Sequence, residues 1–134
     1  PASTAPGKIV LAELFTGSEC APCVGADMAF DGLSERYDRG TVAILEYHLH
    51  IPGPDPMTNS DTEARATYYG VRATPTVVFD GAAQPASGGS ASSGAAAIVT
   101  RAAATVASES LRKSRRPSGR QPSHHEEASS LMRC

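Results

Sequence analysis

Cys20 and Cys23 are separated by Ala21-Pro22, in the stretch ECAPCVG. Two thiols at this spacing fall on one face of a helical turn and can close a small disulfide. A thiolate at the start of a helix is favoured by the free N–H groups and the helix dipole, which makes it a nucleophile toward a disulfide. Three chemistries use such a pair: reversible thiol–disulfide exchange, soft-metal ligation, and the packing of two buried, inert thiols. Glu19 precedes the pair, and the intervening Ala21-Pro22 carries no cation. Pro22 suits the first turn of a helix. Both residues would tune the pair, and Glu19 would disfavour a neighbouring thiolate.

His48 and His50 are the other residues whose type could do chemistry. At alternate positions on a strand they point to one side. One of them could serve as a base near Cys20, or complete a Cys/His metal site with Cys20 and Cys23. The plainer alternative has one imidazole partly buried and the other in solvent. A structural zinc site wants four ligands and there is no second CxxC, which leaves Cu(I) as the stronger metal alternative and Zn the weaker. His124-His125 reads as a solvated pair, and Cys134 has no partner at a readable spacing.

These residues need elements to position them. KIVLAELF, residues 8–15, is an apolar run of strand formers and predicts a buried strand. A helix is expected from Cys20 to about Arg39, on the apolar spacing of Val24, Met28, Phe30, Leu33 and Tyr37, with Gly40 as the stop. TVAILEYHL, residues 41–49, predicts a second buried strand. HIPGPDP follows, with prolines at alternate positions, and must be a stiff loop: either a lip beside the site or a plain connection. Ser60 to Glu63 has capping-box spacing and opens a helix that ends near Tyr69, before Gly70. Thr76–Phe79 is a third strand, Asp80-Gly81 a turn, Ala82–Ala86 a weak fourth strand, and residues 95–113 an alanine-rich helix.

The bulk composition is consistent with one domain. The chain has 134 residues and three cysteines, too few for a disulfide scaffold. No apolar run is long enough to cross a bilayer. Residues 1–100 carry 5 Lys/Arg and 11 Asp/Glu, whereas residues 101–134 carry 7 and 3. An acidic body followed by a basic tail without interleaved aromatics argues against a nucleic-acid partner. Residues 1–7, PASTAPG, read as a flexible leader of the kind that follows a cleavage site, which points to export. Residues 8–113 are the expected domain and 114–134 a basic, disordered tail.

The order strand-helix-strand-helix-strand-strand-helix, CAPC after the first strand, and VRATPTVVFDG at residues 71–81 together resemble the thioredoxin-like superfamily. ELFTGSECAPC is also similar to a group of poorly characterised bacterial thioredoxin-like proteins with an "ELFT…C-x-x-C" opening. The resemblance implies a three-layer α/β/α sandwich with a mixed central sheet. It implies thiol–disulfide exchange with protein substrates and no cofactor. Cys20 would be the attacking sulfur and Cys23 the resolving one. The family's cis-proline maps to Pro75, with Thr74 offering its backbone to an extended substrate. The compartment implied is periplasmic or secreted, although reductants of this family also work in the cytosol. Three departures stand out. There is little room for the extra strand and helix that open full-length thioredoxins. Glu19 occupies the place of a tryptophan. Leu14 occupies the place of a buried acid, and Glu13, one position off, should face the other side of the sheet.

Overall fold

A computed structural model describes residues 8–83 and 91–115. The expected leader, most of the tail, His124, His125 and Cys134 lie outside the described residues. The elements are β1 (Val10–Thr16), α1 (Cys23–Arg36), β2 (Val42–His48), α2 (Ser60–Tyr69), β3 (Thr76–Phe79), β4 (Ala82–Ala83) and α3 (Ala91–Ser114). They form a four-stranded mixed sheet in the order β2-β1-β3-β4. β1 is parallel to β2, with Val10 opposite Val42 and Thr16 opposite His48. It is antiparallel to β3, with Glu13 opposite Val78 and Phe15 opposite Thr76. This is the expected α/β architecture in the expected element order.

β1 lies inside the sheet with both faces covered, so its run is buried almost throughout. Val10, Ala12 and Leu14 point to one side and pack with Ala26, Ala29, Phe30 and Leu33 of α1 and Ile98 and Ala102 of α3. Phe15 points to the other side and packs with Val78, Leu49 and Ala66 of α2. Helices α1 and α3 thus cover one face and α2 the other, which makes three layers.

Several boundaries differ from expectation, each for a local reason. α1 begins at Cys23, not Cys20, because residues 20–23 form a lead-in turn in which the Cys23 N–H donates to the Cys20 carbonyl at 3.0 Å. α1 ends at Arg36, where Tyr37 turns extended and caps the Leu33 carbonyl. Its buried stripe is Ala26, Ala29, Phe30 and Leu33, whereas Val24 and Met28 face solvent. The capping box of α2 uses Asn59 and Thr62 rather than Ser60 and Glu63: the Asn59 side chain accepts from the Asp61 and Thr62 amides, and the Thr62 hydroxyl accepts from the Asn59 N–H at 3.0 Å. Gly70 ends α2 in the left-handed region at φ 67°, a conformation that glycine adopts without steric cost. α3 begins at Ala91, four residues early, and the remainder of the expected fourth strand beyond Ala83 falls outside the described residues.

Candidate functional site

Cys20 and Cys23 form a disulfide, with Cα atoms 5.2 Å apart, at the C-terminal end of β1 and the start of α1. Cys20 is 5 % exposed and Cys23 1 %. Cys20 closes a tight turn in which its N–H donates to the Gly17 carbonyl at 3.1 Å. α1 begins three residues later than expected, so Cys23 is its first residue and Cys20 lies in the turn ahead of it. Ala21 and Pro22 are exposed.

The proline loop packs directly on this turn. A Cβ at Gly17 would collide with the Ile51 carbonyl, so glycine is what permits the approach. A Cβ at Gly53 would collide with the Glu19 carboxylate, which lies against the loop. The Ser18 N–H donates to Asp55 Oδ2 at 2.8 Å. On the other side of the loop the Thr74 hydroxyl donates to the same Ile51 carbonyl at 2.9 Å. The Thr74–Pro75 bond is cis, as is Ile51–Pro52. The Ile51 carbonyl therefore stands between the turn that ends at Cys20 and the segment that carries Pro75. The loop thus lies beside the site and in contact with the turn that leads into it.

The histidines take the plainer of the two expected placements, one partly buried and the other exposed. β2 ends at His48, so strand alternation no longer governs His50. His48 is partly buried and its Nδ1 lies 2.7 Å from Asp55 Oδ2. His50 is exposed, and its Nδ1 accepts the Asp55 N–H at 3.0 Å. Both rings serve Asp55, and Cys20, Cys23, His48 and His50 do not assemble into a ligand set. Among the described residues no three His, Cys, Asp or Glu side chains are placed to hold a metal ion.

Two buried acids stand at the centre of polar clusters whose partners the sequence did not announce. Asp55 has a fully buried carboxylate that accepts from Ser18 N, Met57 N and His48. Burial pushes its carboxyl up, but the Met57 amide, His48 and the Ser18 amide together hold it below the usual range. Glu13, which the sequence places on the face away from Leu14, is 0 % exposed and does lie on the α2 side. Its Oε1 accepts from Arg65 Nε at 2.7 Å and the Tyr47 hydroxyl at 3.0 Å, and its Oε2 accepts from the Tyr69 hydroxyl at 2.7 Å. Burial again pushes upward, and the Arg65, Tyr69 and Tyr47 hydrogen bonds outweigh it and lower the carboxyl. Burial and Glu13 in turn push Tyr69 up to about 12. A third acid, Asp27, sits one turn after Cys23 and accepts from the Thr16 hydroxyl at 2.9 Å. Burial pushes it above its ordinary value of 3.8, against the Thr16 and His48 interactions.

These directions set an acid response. Glu13 and Asp55 are depressed in the folded state, so the stability they contribute is complete above the ordinary values of 4.5 and 3.8. It is lost as pH falls through their lower folded values. Asp27 is raised and acts oppositely, relieving a cost as it protonates above 3.8. The thermal midpoint should therefore be flat or rise slightly down to pH 4.5 and then fall steeply. Calorimetry from pH 6 to pH 2 tests this; a midpoint unchanged between pH 4.5 and pH 2 would sink it.

No protein-family model matches the chain, and no curated protein does. Among solved structures, a protein from Agrobacterium tumefaciens known from X-ray crystallography superposes with a TM-score of 0.53 at 22 % identity, over 78 % of this chain and 48 % of that one. This chain spans about half the length of that protein, and the likeness is one of fold. A malarial protein superposes with a TM-score of 0.47 at 16 % identity, over 70 % of this chain and 97 % of that one.

Proposed function

We propose that the protein is a thioredoxin-like thiol–disulfide oxidoreductase acting on protein substrates. The observation that carries this reading is the Cys20–Cys23 disulfide on the turn into α1, with the Thr74–Pro75 segment just across the Ile51 carbonyl. In the reduced protein the Cys20 thiolate attacks one sulfur of a substrate disulfide. The substrate S–S bond breaks, a mixed disulfide forms, and the departing substrate thiolate takes a proton from solvent. Cys23, deprotonated, then attacks Cys20 Sγ and releases the second substrate thiol. The substrate gains two electrons, and Cys20–Cys23 becomes the disulfide until an external dithiol reduces it. An extended substrate would pair with the Thr74 backbone in the manner of an added strand.

The pair lacks the cation that would strongly favour a thiolate, and Glu19 is an anion next to Cys20, so the protein acts more as reductant than oxidant. Pro22 holds the pair in its lead-in turn. Glu19→Gln should shift the equilibrium with glutathione several-fold toward the dithiol, because loss of a like charge stabilises the thiolate. An unchanged equilibrium would remove Glu19 from the tuning role. The Cys20–Cys23 disulfide fits a periplasmic or secreted protein, and a reductant of this kind also fits the cytosol. The deciding experiment is reduction of insulin disulfides by the protein with dithiothreitol as donor. Turnover no faster than dithiothreitol alone would reject the oxidoreductase reading.

A further inference from the structure

Asp55 is an unusual residue to find in a proline loop. Its side chain is withdrawn from water, and the group that faces it in an ion pair is a histidine. Its remaining needs are met by backbone amides, Met57 N at 2.9 Å within the loop and Ser18 N at 2.8 Å outside it. A buried carboxylate with charge-assisted bonds to three donors is a stiff node, because removing any donor leaves an acceptor desolvated and unpaired. This node ties together three parts of the chain: the end of β2 through His48, the proline loop, and the turn Gly17–Cys20.

Beyond the packing of Gly17 on the Ile51 carbonyl and of the Glu19 carboxylate on Gly53, that turn has few polar ties. Ser18 and Glu19 are exposed, and the turn's own bond is Cys20 N–H to the Gly17 carbonyl. The Ser18 hydroxyl adds a long contact of 3.4 Å to the Pro54 carbonyl. From Asp55 the path to the sulfurs is short: Ser18, the turn, Cys20, and then the Cys20 carbonyl that receives the first amide of α1.

We infer that Asp55 is a positioning residue for exchange at Cys20, fixing through Ser18 the turn that holds Cys20 Sγ against Cys23. The inference rests on the oxidoreductase reading for its function, but its test does not. Exchange requires the attacking and leaving sulfurs to meet in a defined geometry, and closure of the Cys20–Cys23 bond depends on the local concentration of one sulfur at the other. A turn released from Asp55 samples more conformations, so the intramolecular disulfide forms less readily.

Two variants of the full chain separate positioning from folding. An ester in place of the Gly17–Ser18 amide puts an oxygen where the Ser18 N–H stood, so it deletes the donor to Asp55 without adding bulk beside the carboxylate. Asp55→Asn removes the charge and misplaces an amide among donors. Both should lower the equilibrium constant for forming the Cys20–Cys23 disulfide against glutathione by about tenfold, and both should slow resolution of a mixed disulfide held on Cys20. The ester protein should keep the parent's thermal midpoint within a few degrees. A parent-like equilibrium in the folded ester protein overturns the inference, and so does an ester chain that does not fold, since the bond would then serve folding. A parent protein that fails to reduce insulin rejects the oxidoreductase reading, while the glutathione equilibria of the variants still decide the role of Asp55.

Discussion

Cys23→Ser should turn the protein from a catalyst into a trap. With Cys20 free and its neighbour a hydroxyl, attack on a substrate disulfide yields a mixed disulfide that no internal thiol resolves. The adduct should accumulate with one substrate chain per protein, visible as a mass shift that dithiothreitol removes. Cys20→Ser should instead give no adduct and no insulin reduction above background, because Cys23 is the first residue of α1, 1 % exposed, and closed off from an incoming disulfide. Alkylation of the reduced parent with a small reagent should follow the same order, Cys20 before Cys23. Adduct formation by Cys20→Ser and none by Cys23→Ser would exchange the two roles. Adducts from neither would leave the disulfide without an exchange function.

The largest effect on stability is expected at Glu13. Its face of the sheet is covered by α2, a helix that buries only Thr62 and Ala66. So short an apolar contact holds a helix weakly, and the remaining attachment is polar: Arg65 and Tyr69 of α2 and Tyr47 of β2 converge on the Glu13 carboxylate. Arg65 also donates to the Tyr69 hydroxyl at 3.0 Å and lies over the Tyr69 ring, 4.8 Å from its centroid. Glu13→Ala leaves a guanidinium and two hydroxyls without their acceptor. Breaking a buried pair in this way costs about 3–5 kcal/mol. Arg65 keeps about a third of its side chain in water, so about 3 kcal/mol is the better expectation. In a domain of this size that lowers the thermal midpoint by roughly 15 °C. Glu13→Leu combined with Arg65→Met, Tyr47→Phe and Tyr69→Phe should recover most of the loss, since replacing all members of a buried polar cluster with apolar groups is often neutral. A Glu13→Ala protein that melts within a few degrees of the parent would mean that α2 is held by Ala66 and Leu49 packing alone.

The two acids also show where the sequence was legible and where it was not. Element order was readable because each element announces itself within a few residues. KIVLAELF can be little other than a buried strand, the triple proline excludes a helix, and Gly70 follows the last residue of α2 where a left-handed stop belongs. Cys20 and Cys23 were readable for the same reason, since their spacing and the flanking elements are local. Alternation along β1 placed Glu13 on the face opposite Leu14, where the structure has it. Errors arose where two local patterns compete. Phe30 and Leu33 lie on the buried stripe as expected, but its first turns were drawn through Val24 and Met28, which are larger than Ala26 and Ala29; α3 packs closely against α1, and close packing selects the small side chains. Asn59 outcompetes Ser60 as cap because both arms of its box close, on Thr62.

What the sequence determined by itself is the order of elements, the parallel crossover that carries a CxxC to one edge of the sheet, and the stiffness of the loop beside it. What tertiary structure decided is which charges are buried and who answers them. Glu13 meets Arg65 across 52 residues and Ser18 meets Asp55 across 37. No periodicity reports such pairs, because each forms only after β1, β2 and α2 have been brought together. The carboxylates then take whatever donors the assembled sheet edge presents: two tyrosines and an arginine in one case, two amides and a histidine in the other. A desolvated anion must be satisfied, so these contacts follow from the fold and cannot be read before it.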